Sequence, residues 1–443
     1  MDSPRCLREP WNPILEGELK TRAQEAIDQL ADCLHQAEPS SVPHGMPTSV
    51  GVTKSATLAS GRAGLALFYA YRARASLRES DDQTASLLLD QAAETVESIR
   101  MPPGLFEGFT GVAWAFEHLL GERNDLQSEE INEEIDNVLG SWLDESPWSN
   151  TYDLISGLAG LGVYSLERLP RPIAAECIES VVDRLQETAR SERAGLSWWT
   201  RPEWLDPWSR QRYPGGYHDL GVAHGIPGIV AFLARVCSSG VASRKARTLL
   251  EGSVAWLLDQ RCEETQGSRY ASFAGPGIEL HPARSAWCYG DPGIASVLMI
   301  AARCSGNLAW EREAIDLARQ SAHRPMGETR VVDPGLCHGA AGLAHIYNRL
   351  YQATGDTEFR DAATAWFERA LAFRHPGRGI AGFSAWNPID AEGSLGWCAD
   401  PGLLTGAAGV GLALLAATTD VPPDWDRVML ASSPMPIPAV GAA

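Results

Sequence analysis

Apolar residues fall along this chain in a pattern that recurs seven times: two glycines three apart, among small residues, open a nearly continuous apolar stretch. The pairs are Gly61/Gly64, Gly108/Gly111, Gly157/Gly160, Gly225/Gly228, Gly290/Gly293, Gly339/Gly342 and Gly406/Gly409. Runs such as Leu65 to Tyr71 and Ile229 to Leu233 read as helices buried on most sides. Between them, Glu130 to Leu143 and Glu311 to Ala322 mix carboxylates and arginine with apolar residues at helical spacing, as outer helices do. Successive first glycines are 47, 49, 68, 65, 49 and 67 residues apart, room for a helix pair per unit plus insertions.

Glycine is a poor helix-interior residue, so paired glycines need a cause. They lower steric bulk where inner helices meet, and they expose backbone near helix N-termini where ligands sit. Closure of the units on themselves gives an all-α fold, an α/α toroid with one ring of helices inside another. A period does not reveal closure, so an open solenoid also fits. The expected domains are an N-terminal helix and loop over 1–49, a seven-repeat α/α barrel over 50–420 and a C-terminal tail over 421–443. Within these, a helix is expected at about 15–37, a loop at 38–60 and a frayed end at 434–443. An insertion over 196–220 carries Trp198, Trp199, Trp204, Trp208, Tyr213 and Tyr217, and reads as an aromatic lid on the ring or as a peptide-contacting rim.

Composition narrows the classes. The chain has 443 residues, 44% hydrophobic and 21% charged, enough for a large globular core. A net charge of -19 makes nucleic acid or an anionic lipid surface a poor partner. Nine cysteines, an odd number scattered through a long chain, lack the density of a secreted disulfide scaffold. With neither a signal core nor a transmembrane segment, the expected location is the cytoplasm.

Two strings carry the chemistry: Trp287-Cys288-Tyr289-Gly290 and, 49 residues after Cys288, Cys337-His338-Gly339. Two thiolates and one imidazole suit a tetrahedral Zn²⁺ with its fourth position open, as in a catalytic site. These strings, on successive repeats, resemble the lanthionine synthetase C family, the lanthipeptide cyclases and their LanC-like relatives, over about residues 50–420. The resemblance implies one Zn²⁺ per chain held by Cys288, Cys337 and His338. It implies His224 as the acid/base, and Asp153 as a cavity aspartate that orients a histidine or else caps its helix. It implies Arg284, four residues before Cys288, for oxyanion stabilisation, with ion pairing to an outer helix as the alternative. Tyr289 is implied as the motif tyrosine, in function or in packing. His345, Cys304, Cys398, His281 and His323 stand as structural.

The implied reaction adds a peptide cysteine thiol to dehydroalanine or dehydrobutyrine, closing a (methyl)lanthionine thioether ring. The implied partner is a dehydrated precursor peptide. The length leaves no room for a fused dehydratase, so a separate one is expected. Two rivals remain open: a LanC-like protein adding glutathione or another thiol to dehydrated residues, and a non-catalytic zinc-braced scaffold.

Overall fold

The protein is described by a computed structural model covering residues 11–37, 48–76, 78–120, 132–262, 267–390 and 393–432. Seven inner helices form its central ring: α3 (Arg62–Ser76), α5 (Phe109–Leu120), α7 (Leu158–Glu167), α10 (Ile226–Ser239), α12 (Asp291–Ser305), α14 (Ala340–Thr354) and α16 (Ala407–Thr418). Each packs on the next, and α16 packs on α3, so the ring closes and the open solenoid is excluded. Outside lie α1 (Gly17–Gln36), α4 (Glu79–Ser98), α6 (Glu133–Leu143), α8 (Pro172–Thr188), α11 (Ser243–Asp259), α13 (Leu308–Ala322) and α15 (Thr357–Ala372).

The two rings differ as their sequences dictate. Every residue of α16 is buried. In α13 only Ala314, Leu317, Ala318 and Ser321 are, one stripe at helical spacing. That outer helix starts where the Asn307 side chain accepts from the backbone N–H of Ala309 and Trp310 at 3.0 and 3.2 Å, a cap worth about 1 kcal/mol. The preceding inner helix stops at Gly306, whose φ of 70° favours glycine.

Each first glycine directly precedes an inner helix. The second lets the ring tighten: a Cβ at Gly160 would meet Leu105 Cβ at 2.9 Å, and one at Gly64 would meet Leu403 Cβ at 2.9 Å. Leu105 and Leu403 stand three residues before the first glycine of the preceding unit, so the small residue receives the neighbour's side chain, and Gly64 against Leu403 joins the two ends of the ring.

A belt of backbone hydrogen bonds runs round the same end. The donors and acceptors are Ala59 to Phe106 (2.9 Å), Phe106 to Ile155 (3.0 Å), Leu154 to Ala223 (3.1 Å), Val222 to Cys288 (2.8 Å), Cys288 to Cys337 (3.2 Å), Cys337 to Leu404 (2.7 Å) and Leu404 to Ala59 (3.1 Å). Every acceptor lies two residues before a first glycine. At about 1 kcal/mol net apiece these bonds add little stability, but they fix the register of neighbouring loops.

Three expectations change. Residues 38–47 of the expected loop lie outside the described residues, but Thr48–Ala56 form a helix, α2, against α4. Its glycine and polar residues hide a helix that tertiary packing stabilises. The N-terminal helix is no separate unit: α1 is the outer partner of α16, with Ile14 and Leu15 N–H both 3.0 Å from Ala417 O. The packed body also runs past 420, because Trp425, Asp426, Val428 and Met429 are buried in a 3₁₀ turn (Asp424–Met429). The end expected to fray, 434–443, lies outside the described residues. Among the described residues strands are few and short, as in the hairpin pairing Ala385–Pro388 with Leu395–Cys398.

Candidate metal centre and reaction cavity

Cys288 and Cys337 occupy equivalent places in neighbouring repeats, two residues before the first glycine, and the belt hydrogen bond between them brings their side chains together. His338 follows on the same loop. The three ligand atoms lie within 4.8 Å of one another. Zn–S and Zn–N bonds in a tetrahedron put ligands about 3.5–3.8 Å apart, so a closure of about 1 Å completes the set. His338 Nε2 lies 3.3 Å from Asp333 Oδ2, leaving Nδ1 for a metal. A carboxylate on the second nitrogen is the usual outer partner of a ligating histidine. The donors therefore fit zinc.

Electrostatics agree. The Cys337 thiol, hydrogen-bonding to Cys288, holds Cys288 well below the ordinary thiol range, with His338 and Arg284 adding to the effect. The same bond pushes Cys337 well above it. Burial works against charge on His338, but Asp333 and the Cys288 thiolate outweigh it and raise its pKa to about 9. Gly290, where the chain turns after Cys288 and Tyr289, has φ 97°, and its added Cβ would strike the Arg284 carbonyl. Only glycine suits that turn.

Beside the trio opens a cavity of about 280 Å³. None of the three ligands lines it; Tyr289, next to Cys288, does. The repeat loops contribute Asp153, His224 and Tyr289, and the 196–220 insertion contributes Thr200, Trp204, Leu205, Asp206, Ser209, Tyr217 and, at its end, Asp219. Pockets for drug-sized ligands run roughly 300–1,000 Å³, so this one takes a side chain or two and not a folded peptide.

Asp153 uses its two oxygens differently. Oδ1 accepts from Ser156 and Gly157 N–H at 2.8 and 2.9 Å, closing the turn that leads into α7. Oδ2 lies 2.8 Å from His224 Nδ1, which leaves Nε2 for the cavity. The ring sits deep in the cavity, yet half its surface opens to the lumen. Burial opposes its charge, but the Asp153 hydrogen bond and the fields of Asp153, Asp219 and Cys288 raise its pKa to about 9.

Arg284 is half-buried, forms no ion pair to an outer helix among the described residues, and acts on both sulfurs through its charge. The Tyr289 hydroxyl donates to Asp219 Oδ2 at 2.9 Å. The aromatic insertion divides its labour: Trp198 is fully buried with its indole on Leu185 O, Trp204 and Tyr217 line the cavity, and Trp208 is 67% exposed. His345, Cys304, Cys398, His281 and His323 stay outside both centres.

Sequence reasoning missed Asp219 and Asp333. Both stand six residues before a first glycine, as Asp400 does, and the Oδ1 of each accepts the N–H two residues on, at 2.7, 3.0 and 2.8 Å. The second oxygen then reaches across: to Tyr289 from Asp219, towards His338 from Asp333, and to Asn387 from Asp400. The signal was in the sequence, as an aspartate at one register in three repeats.

A family model described as lanthionine synthetase C-like protein matches residues 53–430. Nisin biosynthesis protein NisC of Lactococcus lactis subsp. lactis is 22% identical over 267 residues, which cover 55% of this chain and 60% of that protein. Glutathione S-transferase LANCL1 of Danio rerio is 27% identical over 151 residues, 34% of this chain and 33% of that one. The chain thus spans less than two thirds of either relative. The solved structure of nisin cyclase shares the fold, with a TM-score of 0.72 at 17% identity over 94% of this chain and 98% of that one.

Proposed function

Since the chain belongs to the lanthionine synthetase C-like family, we propose that it is a zinc-dependent lanthipeptide cyclase, acting on a peptide whose serines or threonines have been dehydrated. The observation that carries this reading is the convergence of Cys288, Cys337 and His338 beside a cavity holding the His224–Asp153 pair. Zn²⁺ on Cys288, Cys337 and His338, one per chain, would supply a thiolate at neutral pH from a substrate cysteine whose free pKa is about 8.5.

The protein's residues do the rest. The peptide sulfur bonds to the β-carbon, the alkene's π pair moves towards the α-carbon and the amide oxygen, and a proton goes to the α-carbon. His224, protonated at neutral pH and aimed through Nε2, delivers that proton, while Asp153 fixes its orientation and tautomer. Arg284 and His224 offset the charge developing on the amide oxygen. Asp219 fixes the Tyr289 hydroxyl at the cavity wall, so Tyr289 positions the acceptor. The aromatic insertion shields the reacting groups from water.

The dehydrated residues would come from a dehydratase acting earlier, a candidate partner. Eight of the nine cysteines are described and all are free thiols, which favours a reducing cytoplasm. No described helix is long and apolar enough to cross a membrane.

The test measures zinc per chain for wild type and Cys337→Ala, with thioether formation on a dehydrated, cysteine-containing peptide followed by mass spectrometry and thiol alkylation. About one zinc, lost in the variant together with ring formation, is the expected result. Similarity to the relative named glutathione S-transferase motivates a second reading, thiol addition from glutathione. Glutathione adducts without ring closure would favour that reading, and zinc without either product would favour a scaffold.

A further inference from the structure

The insertion that walls the reaction cavity also builds a second recess. This groove, of about 280 Å³, shares Tyr152 and Trp204 with the cavity. The two rings meet edge to face, centroids 6.1 Å apart, and form the partition between the recesses. Tyr152 is fixed by a 2.6 Å hydrogen bond between its hydroxyl and that of Thr200. Trp148, Trp198 and Trp199 add apolar wall, and Arg190 and Arg201 open onto the groove.

The charge here runs against the rest of the molecule. The chain carries -19, yet residues 189–217 hold five arginines (190, 193, 201, 210 and 212) against three carboxylates (192, 203 and 206), a local excess of +2. Arg190 stacks over Trp199 at 5.1 Å and Arg201 over Trp204 at 5.3 Å. Neither forms an ion pair among the described residues. The carboxylate that lines the groove, Glu187, is already engaged: it accepts from the Ser146 hydroxyl at 2.6 Å and from Trp148 N–H at 3.1 Å, with Arg184 at 3.4 Å. Its ion pair is with Arg184, and it makes none with Arg190 or Arg201 among the described residues. Both arginines are exposed, and resting on an indole restrains each guanidinium, so less side-chain entropy is lost when a carboxylate docks.

We propose that this groove is a peptide subsite for an acidic residue: a glutamate or aspartate of the substrate pairs with Arg190 or Arg201 while its neighbours lie against the tryptophans. The proposal rests on the peptide-cyclase reading and deepens it. An extended chain advances about 3.3 Å per residue, so one aromatic partition corresponds to roughly two to four residues between the acidic position and the reacting one. The subsite would then select which cysteine or dehydrated residue enters the cavity.

The test uses the full zinc-loaded chain and fluorescent, unreactive peptides with serine at the dehydrated position and alanine at the cysteine. They differ only in a flanking pair: Glu-Glu, Gln-Gln or Lys-Lys. Fluorescence anisotropy at low ionic strength is expected to show the Glu-Glu peptide bound about tenfold tighter than the Gln-Gln peptide, with the gap closing at high salt. The R190E/R201E double variant is expected to reverse the order in favour of Lys-Lys. The R190K/R201K variant, which keeps charge but loses the planar fork, should retain a smaller Glu-Glu preference. Equal binding of Glu-Glu and Gln-Gln to wild type would overturn the subsite, as would a charge reversal that weakens all three peptides alike. Reactive versions of the peptides separate the two readings. Rings formed with no acidic preference overturn the groove alone, whereas an acidic preference without rings supports the groove and removes the cyclase.

Discussion

Two histidine–aspartate pairs stand at different depths in the same barrel. At the glycine end, His224 Nδ1 meets Asp153 Oδ2 at 2.8 Å; further down α14, His345 Nε2 meets Asp426 Oδ2 at 2.7 Å. His345 lies seven residues beyond His338, about 10 Å along the helix axis. The hydrogen bonds are alike, but the protons behave oppositely. His224 is raised to about 9, while burial outweighs Asp426 and lowers His345.

Two differences explain the split. Half of the His224 side chain opens to the lumen, against 3% for His345. Asp153 gives its second oxygen to His224 without another cation, whereas Asp426 is already neutralised by Arg349, which donates to its two oxygens at 2.6 and 2.8 Å. The lower pair also belongs to a seal. Residues 425–432 reach His345 and Arg349 through Asp426, His118 and Glu167 through Arg427, Trp287 through Met429, and Arg235 through Ser432. Charges at that end satisfy one another, and charges at the glycine end face a cavity. A carboxylate beside an imidazole thus raises its proton affinity here only where solvent can reach the ring and no second cation claims the carboxylate.

Breaking the upper pair is expected to have the largest effect. His224→Asn should lower kcat for ring formation about 10²–10⁴-fold with zinc content little changed, measured by steady-state mass spectrometry and metal analysis. Wild-type rates in that variant would remove His224 from proton transfer. Asp426→Ala comes next and should act on stability alone. It leaves the part-buried Arg349 guanidinium without its carboxylate, with only the Pro423 carbonyl and the Trp11 ring beside it among the described residues, so urea denaturation should show a loss of about 3 kcal/mol, with kcat of the folded protein unchanged. A fall in kcat without destabilisation would mean that the lower pair is no seal.

Asp219→Asn is expected to lower kcat about tenfold by weakening the bond that fixes Tyr289, and Tyr289→Phe in that background should add little more. Additive losses would show that the two residues act separately. The smallest effect is in pH dependence, where the pairs should pull in opposite directions. His224, raised above its ordinary 6.5, contributes stability in full below pH 6.5, and that contribution fades as pH rises through about 9. His345, lowered, contributes above pH 6.5, and its share is lost as pH falls below that value. Denaturation curves of His224→Asn and His345→Asn should therefore deviate from wild type at opposite ends of the pH range. Parallel curves would show that the pairs do not differ in protonation.

Much of the architecture was legible because its cause is local. Seven glycine pairs with apolar runs announced seven inner helices, and the repeat positions of Cys288, Cys337 and His338 announced a cluster of soft donors. The reading failed where long-range packing overrode local character: in α2, whose sequence resembles a loop, and in residues 421–432, whose prolines and acidic residues suggest a tail although the barrel buries them. Asp219 and Asp333 were recoverable from the repeat register, but an aspartate before a glycine reads as an ordinary turn until its second oxygen is seen to reach Tyr289 of the next repeat, from Asp219, or His338 of its own loop, from Asp333.

The sequence by itself determined the repeat number, the ordering of inner and outer helices, and the ligand chemistry, since spacing and residue type are local properties of a chain. Only the tertiary structure decided that the ring closes, that α1 is the partner of α16, and that His224 faces a cavity while His345 is walled in. Those outcomes depend on which side chains meet across hundreds of residues, and the same imidazole–carboxylate pair takes its proton affinity from that surrounding burial and charge.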